Sequence, residues 1–359
     1  MRFKSVRIEN FRGISSLKIE DIGRVNLLVG QNNSGKTSVL EALFLLTGIS
    51  NPQLTININR FRDFIRDADE SNIRLIFKDL NIDRPIQLEA EFDLYNYKRA
   101  LSIRPHVKED TSSSRKVSKL EDNDSNLSIL QEPVIDGVSL DFTIKEKHKP
   151  KESFNSTLLF VPGGGEVYSP ADYKERFNGV FLGSETIHKK LDIRIDKLLV
   201  AKQEQKMIAV LQKIDRDIEA ISLGANGIIY FDIGLDRLVP INIMGDGVRR
   251  MLSIIATIAD VKGGMIFIDE VDNGFHYSVL RELWNVILEA SHQYDVQVFA
   301  TSHSEECIRA LTAAFHDTPS LFSDAIRLFR IEKHDNQHKA VAYDHEVLET
   351  SLELNLGIR

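Results

Sequence analysis

Residues 30–37 read Gly30-Gln31-Asn32-Asn33-Ser34-Gly35-Lys36-Thr37, a full match to the phosphate-loop pattern GxxxxGK[ST]. Each part has a chemical reason. The glycines let the chain turn tightly, so that backbone N–H groups point at the β- and γ-phosphates of a nucleotide. Lys36 adds a mobile positive charge, and the Thr37 hydroxyl suits a Mg²⁺ ion. The flanks fit the motif. Residues 24–29 (RVNLLV) form an apolar run suited to a buried strand. Residues 34–46 (SGKTSVLEALFLL) carry helical apolar spacing, which would put the phosphates at a helix N-terminus. The candidate nucleotide contacts are Gly30, Asn32, Asn33, Ser34, Gly35, Lys36, Thr37 and Ser38.

The 359 residues suffice for a large core or two lobes, and 42% apolar with 27% charged residues is the balance of a globular protein. Apolar runs stay well short of the ~18 residues that span a bilayer. The N-terminal MRFKSVRIEN mixes charges with apolar residues, unlike a signal peptide. A single cysteine, Cys307, cannot form an internal disulfide, so a cytoplasmic protein without membrane contact is expected. The formal net charge of −8 argues against a surface that coats nucleic acid, while leaving room for a local basic patch.

Residues 2–9 and 16–20 read as strands joined by the turn Asn10-Phe11-Arg12-Gly13. After the phosphate-loop helix, Asn51-Pro52 interrupts the chain, and residues 74–77, 86–94, 100–104 and 138–145 read as strands, 86–94 with clean alternation. Residues 106–128 are polar and almost free of large apolar side chains, so a flexible insertion is expected there. Lysines and arginines at 98–119 and 145–151 read as a solvated loop or as a site for nucleic acid or an acidic partner. Residues 157–161 suit a short buried strand before the turn Pro162-Gly163-Gly164-Gly165. From 184 to about 220, apolar residues recur at threes and fours, as in one long or two short helices ended by Gly224 and Gly227. Residues 228–233 resume as a strand, and 325–331 and 339–343 close the chain as two more. The expected divisions are 1–50 for the first part of the nucleotide core, 51–155 for a β-rich lobe, 156–235 for a helical segment with strands, and 236–359 for the rest of the core.

Three further motifs lie downstream. Met265-Ile266-Phe267-Ile268 is a buried parallel strand ending in Asp269 and Glu270. Asp269 suits the Mg²⁺ shell and Glu270 is placed to orient or deprotonate water. Residues 296–300 form a last core strand ending in Thr301-Ser302-His303. Between these and the phosphate loop, Met244-Gly245-Asp246-Gly247 opens a helix at 248–260.

A short strand, Phe11-Arg12-Gly13, a second strand and a phosphate loop resemble the N-terminal lobe of ABC-type ATPases related to SMC, RecF and the OLD (overcoming lysogenisation defect) family. The resemblance implies an α/β fold of P-loop NTPase type, with a parallel core, an antiparallel lobe and a helical segment. It implies ATP and Mg²⁺ as cofactors, and Arg12 as a nucleotide contact; a turn arginine at the surface is the alternative. It makes His303 a switch histidine that contacts the γ-phosphate. It makes Gly245 and Gly247 the turn that closes the site of a second subunit. This turn departs from the usual LSGGQ, with Met244 in the serine's place and the carboxylate of Asp246 where a small residue is usual. Asp246 must then turn away, cap the helix, or pair with Arg249 or Arg250. Residues 271–276 resemble the loop across the dimer interface, with Asp272 and His276 as interface candidates.

The implied activity is Mg-dependent ATP hydrolysis by a homodimer or higher homo-oligomer. With about 55 residues after His303, the Toprim nuclease domain of full OLD proteins is not expected in this sequence. The expected role is therefore an ATPase subunit that regulates a separate Toprim nuclease or toxin effector in bacterial antiviral defence. The alternative is a RecF-like DNA-repair ATPase that binds DNA directly. A small-molecule P-loop kinase is a third reading, disfavoured by the MGDG and TSH motifs.

Overall fold

Val25, Leu27 and Val29 face one side of the strand they form and Leu28 the other, which places apolar cores on both faces of one sheet. The computed structural model describes residues 1–62, 70–94, 96–107, 134–183, 186–317, 326–335 and 337–343. The sheet is six-stranded, in the order β16-β15-β3-β14-β13-β9. Its strands are β3 (Val25–Val29), β9 (Gly179–Leu182), β13 (Met265–Ile268), β14 (Gln297–Thr301), β15 (Ile326–His334) and β16 (Gln337–Tyr343). All pairs are parallel except β15 with β16. The strands β3, β13 and β14 are buried throughout, as their unbroken apolar runs require.

A seven-stranded antiparallel sheet lies on one face of this core. It runs β2-β1-β4-β5-β6-β7-β8. It is built from β1 (Phe3–Phe11), β2 (Ile14–Ile19), β4 (Ile86–Phe92), β5 (Lys98–Val107), β6 (Ile135–Lys145), β7 (Glu152–Val161) and β8 (Gly164–Tyr168). The N-terminal hairpin joins it by pairing β1 with β4, so this sheet crosses the 50/51 division expected from sequence. Between the two sheets lies α1 (Lys36–Thr47), nearly every residue of which is buried. Two short helices, α2 (Gln53–Arg60) and α3 (Glu70–Arg74), follow it.

The other face is covered by α4 (Leu191–Val200), α5 (Glu204–Leu211), α6 (Asp246–Asp260), α7 (Leu280–Gln293) and α8 (Glu305–Asp317). A small three-stranded sheet of β10 (Ala220–Leu223), β11 (Ile229–Asp232) and β12 (Val239–Pro240) leads into α6. Among the described residues no helix is long and apolar enough to cross a membrane.

Several expectations change. Residues 74–77 are not a strand: they end α3 and pass through a turn, with one isolated bridge from Phe77 to Phe11. Four mixed residues cannot distinguish the two periods. The strand expected at 157–161 is the end of the ten-residue β7. The helical stretch resolves into two short helices, and Gly224 and Gly227 turn the β10–β11 hairpin instead of capping a helix. Most of the polar insertion expected at 106–128 lies outside the described residues.

Phe267 shows how tightly the inter-sheet core is built. It is fully buried, stacked on Phe299 at 5.5 Å between centroids, with Phe44 of α1 edge-on at 5.9 Å. Phe267→Ala is expected to lose about 3–5 kcal/mol of stability. Urea unfolding followed by circular dichroism checks this; a loss below ~1 kcal/mol would mean that the core collapses around the gap.

Candidate functional site

Parallel pairing sets three strand ends side by side. Phe267 of β13 pairs with Phe299 of β14, and Ala300 of β14 with Leu27 of β3. The residues after β3 and β13 and at the end of β14 therefore emerge along one edge, the usual place for ligands on such sheets.

The phosphate loop leaves β3 at Gly30, whose φ of 140° and crowding both call for glycine: a Cβ there would lie 2.4 Å from the Ile331 carbonyl oxygen. Gly35, with φ 97°, turns the chain into α1. The Lys36 ammonium donates to the carbonyls of Gly30 and Gln31 at 2.8 and 2.9 Å. Its partial burial lowers its pKa, an effect opposed by the charges of Asp269 and Glu270.

Asp269 is the hub. The Thr37 hydroxyl lies 3.1 Å from each of its carboxylate oxygens, and the Thr301 hydroxyl donates to Oδ1 at 2.6 Å. Thr301 Oγ1 also accepts the Glu270 N–H at 2.8 Å. Glu270 has φ 50°, unusual for a residue with a side chain, and its Oε1 stands 3.7 Å from His303 Nε2. Asn32, Asn33, Gly35, Lys36, Thr37, Ser38, Glu270 and His303 line one cleft of about 560 Å³. The hydroxyl and carboxylate of Thr37 and Asp269 form an oxygen-donor pair suited to Mg²⁺, which commonly takes one or two protein ligands, several waters and substrate phosphates. Among the described residues no group of three or more His, Cys, Asp or Glu side chains could hold a metal by itself.

Arg12 is placed differently from the direct contact considered above. It is 7% exposed, and its Nε lies 2.6 Å from Oε2 of Glu41, a carboxylate on α1 with no exposure at all. Its Nη2 donates to Glu41 Oε1, Asn59 Oδ1 and the Ile58 carbonyl. Arg12 does not line the cleft; Arg62 does. Arg62 grips the same Glu41 through Nε at 2.7 Å and Nη2 at 3.0 Å, and Nη2 also reaches the Ser38 hydroxyl at 3.1 Å. Sequence reading missed both Glu41 and Arg62. The signal for Glu41 was a lone carboxylate in the apolar helix KTSVLEALFLLT; Arg62 had none.

Gly245 and Gly247 do not line this cleft. Gly245 precedes α6, and a Cβ there would meet nothing within 4 Å. Gly247 packs beside Phe275. Asp246 is 80% exposed, and Arg249 Nη1 donates to its Oδ1 at 3.3 Å. The cation that pairs with Asp246 is thus Arg249, while Arg250 turns inward to the carbonyls of Asp269 and Glu270. The His276 and Tyr277 rings lie 4.2 Å apart, tilted by 40°, and Tyr277 and Ile243 are exposed. Cys307 is buried, its thiol pKa pushed up to about 12, so it is no nucleophile.

A Helicobacter pylori protein described as an ATP/GTP phosphatase is 27% identical over 371 aligned residues, covering 96% of each chain. The DNA replication and repair protein RecF of Clostridioides difficile is 45% identical over 47 residues, 13% of each chain. The crystal structure of an SMC head bound to the C-terminal winged-helix domain of ScpA superposes with a TM-score of 0.51 at 13% identity, covering 98% of this chain and 100% of that one. The fold is therefore that of the ABC-type ATPases of the SMC/RecF-like group. The family model described as "AAA domain, putative AbiEii toxin, Type IV TA system" matches residues 25–309, and the chain belongs to that family.

Proposed function

We propose that the protein hydrolyses ATP to ADP and phosphate, and that two subunits share each nucleotide. The observation that carries this reading is that Lys36, Thr37, Glu270 and His303 line one cleft, with Asp269 hydrogen-bonded to Thr37 behind it. In this reading the loop amides and Lys36 hold the phosphates. Thr37 and Asp269 would hold Mg²⁺, which would supply charge neutralisation to the bound phosphates. Glu270 takes a proton from the attacking water, and His303 faces the γ-phosphate. The relative described as an ATP/GTP phosphatase supports a hydrolytic role.

The shared site is supported by what lies outside the cleft. Gly245 is open at the N-terminus of α6, and Ile243, two residues before it, is exposed. Such a surface suits a second copy better than solvent. We further propose that the nucleotide state of this dimer controls a separate nuclease or toxin effector in antiviral defence; membership of a family described as a putative toxin of a type IV TA system supports a place in such a system. The short RecF match favours a second reading, direct DNA binding. DNA binding by the isolated protein, strengthened by ATP, would replace the effector reading.

Lys36→Ala removes a charge-assisted phosphate contact and is expected to weaken ATP binding by at least about tenfold, read by titration of a fluorescent ATP analogue. Equal affinity in the two proteins would remove the phosphate loop from the reading.

Glu270→Gln keeps the shape of the site and loses the base, so hydrolysis should fall by about 10²–10⁴-fold while ATP stays bound. Retained ATP then stabilises the head-to-tail contact by mass action. The readout mixes two variants in a Cys307→Ser background. One carries Asn32→Cys, an exposed loop position, and the other Gly245→Cys. Only a contact between subunits can join them with a short bifunctional thiol reagent. ATP-dependent joining, stronger with Glu270→Gln, is expected. Its absence in proteins that bind ATP would sink the shared site and reopen the P-loop kinase reading.

A further inference from the structure

We infer that Arg250 is a positioning residue for Glu270, a clamp that holds the main chain of the proposed base in its left-handed conformation and so aims its carboxylate into the cleft. The inference rests on the hydrolytic reading above and assigns a part to a residue that does not line the cleft.

Glu270 needs such a clamp. At φ 50° its Cβ crowds the backbone, and a residue with a side chain stays there only when its surroundings hold it. The restraints come from both sides. Its N–H donates to Thr301 Oγ1 at 2.8 Å. Its carbonyl accepts from Arg250 Nη2 at 2.6 Å and from the Asn273 N–H at 3.0 Å. The same Nη2 also donates to the Asp269 carbonyl at 3.2 Å, so one nitrogen spans the two peptide units on either side of the Glu270 Cα.

Arg250 is an unusual choice for mere adhesion between α6 and β13. It is 7% exposed, and among the described residues it is ion-paired with no carboxylate within 4 Å. Its hydrogen-bond acceptors are the two carbonyls, and its Nε is buried without a partner. Burying a guanidinium in this way is unfavourable, and an apolar residue would attach the helix more cheaply. Burial lowers the Arg250 pKa, and the neighbouring charges of Glu270, Asp272 and Asp269 only partly oppose that effect. Its Cδ would lie 3.7 Å from a Cβ at Gly274, which threads the side chain beneath the loop following the acidic pair.

Without the clamp, Glu270 can relax to negative φ, and its carboxylate then swings away from His303 and the cleft. The phosphate loop is untouched, so binding and chemistry should separate. The experiment compares wild type, Arg250→Ala and Arg250→Lys in three measurements: ATP affinity, single-turnover hydrolysis, and thermal unfolding. The expected result for Arg250→Ala is ATP affinity within about twofold of wild type, with hydrolysis slowed at least about tenfold. Arg250→Lys should fall between the two. Added ethylguanidinium should restore part of the rate to Arg250→Ala and leave Lys36→Ala unchanged. In a Glu270→Ala background, Arg250→Ala should cost nothing more. Hydrolysis that stays at the wild-type rate, or that falls only in step with thermal stability and with no ethylguanidinium rescue, overturns the inference. Should Arg250→Ala fail to fold, Arg250→Lys and Arg250→Gln carry the same comparison. Amide exchange keeps this test separate from the reading beneath it. If wild type does not hydrolyse ATP at all, the hydrolytic reading fails. The clamp is then judged by exchange at residues 268–273, expected to speed up in Arg250→Lys; unchanged exchange overturns it.

Discussion

Two threonine hydroxyls converge on the carboxylate of Asp269, and the cleft depends on that convergence. Thr37 comes from the start of α1, Thr301 from the end of β14, and Asp269 from the position just after β13. The three hydrogen-bonded contacts fix the phosphate loop against the strand carrying the acidic pair. They are short-range, but they work only because β3, β14 and β13 are adjacent and parallel. A one-residue slip between β13 and β14 would turn every apolar side chain of β13 to the wrong face and carry Asp269 away from Thr301. The alternation that fills two cores thus also sets the geometry of the site.

A second carboxylate ties the antiparallel lobe to the same loop. Glu41 lies one helical turn beyond Thr37 on α1, and its charge answers two arginines. Arg12 brings the β1–β2 turn and Arg62 the segment after α2. A fully buried carboxylate is tolerable when several donors satisfy it, and removing one of them would leave an uncompensated charge. One negative charge between two cations leaves the cluster net positive beside a cleft suited to phosphates. Arg62 is the member that the cleft reaches.

What could be read from the chain alone follows from how far apart the cooperating residues lie. The phosphate loop, the Asp269-Glu270 pair and Thr301-Ser302-His303 are contiguous, and each follows an apolar run that had to be a buried strand. Their meeting at one edge follows from the parallel sheet that such runs imply. Glu41, Arg62 and Arg250 act through partners 19 to 29 residues away, and no local period marks such pairs. Arg12 stood out because of its neighbours Phe11 and Gly13, but its partners at Glu41 and Asn59 could not be read from the turn. Residues 74–77 failed for a different reason: four residues are too few to separate a period of two from one of 3.6.

The arginines that follow Gly247 divide the work of α6 between its exposed and buried sides. Arg249 pairs with Asp246 at the surface, where an i,i+3 contact to a carboxylate that is 80% exposed contributes little. Asp246 is therefore only loosely held and free to reorient when another charge approaches. Arg250, the next residue, points about 100° further round the helix and is buried against the carbonyls of Asp269 and Glu270. The helix thus carries an adaptable carboxylate beside the Gly245–Gly247 turn and a rigid clamp on the acidic pair. If that turn meets a second subunit, the Arg250 side chain is the route by which a shift of α6 would reach the Glu270 main chain.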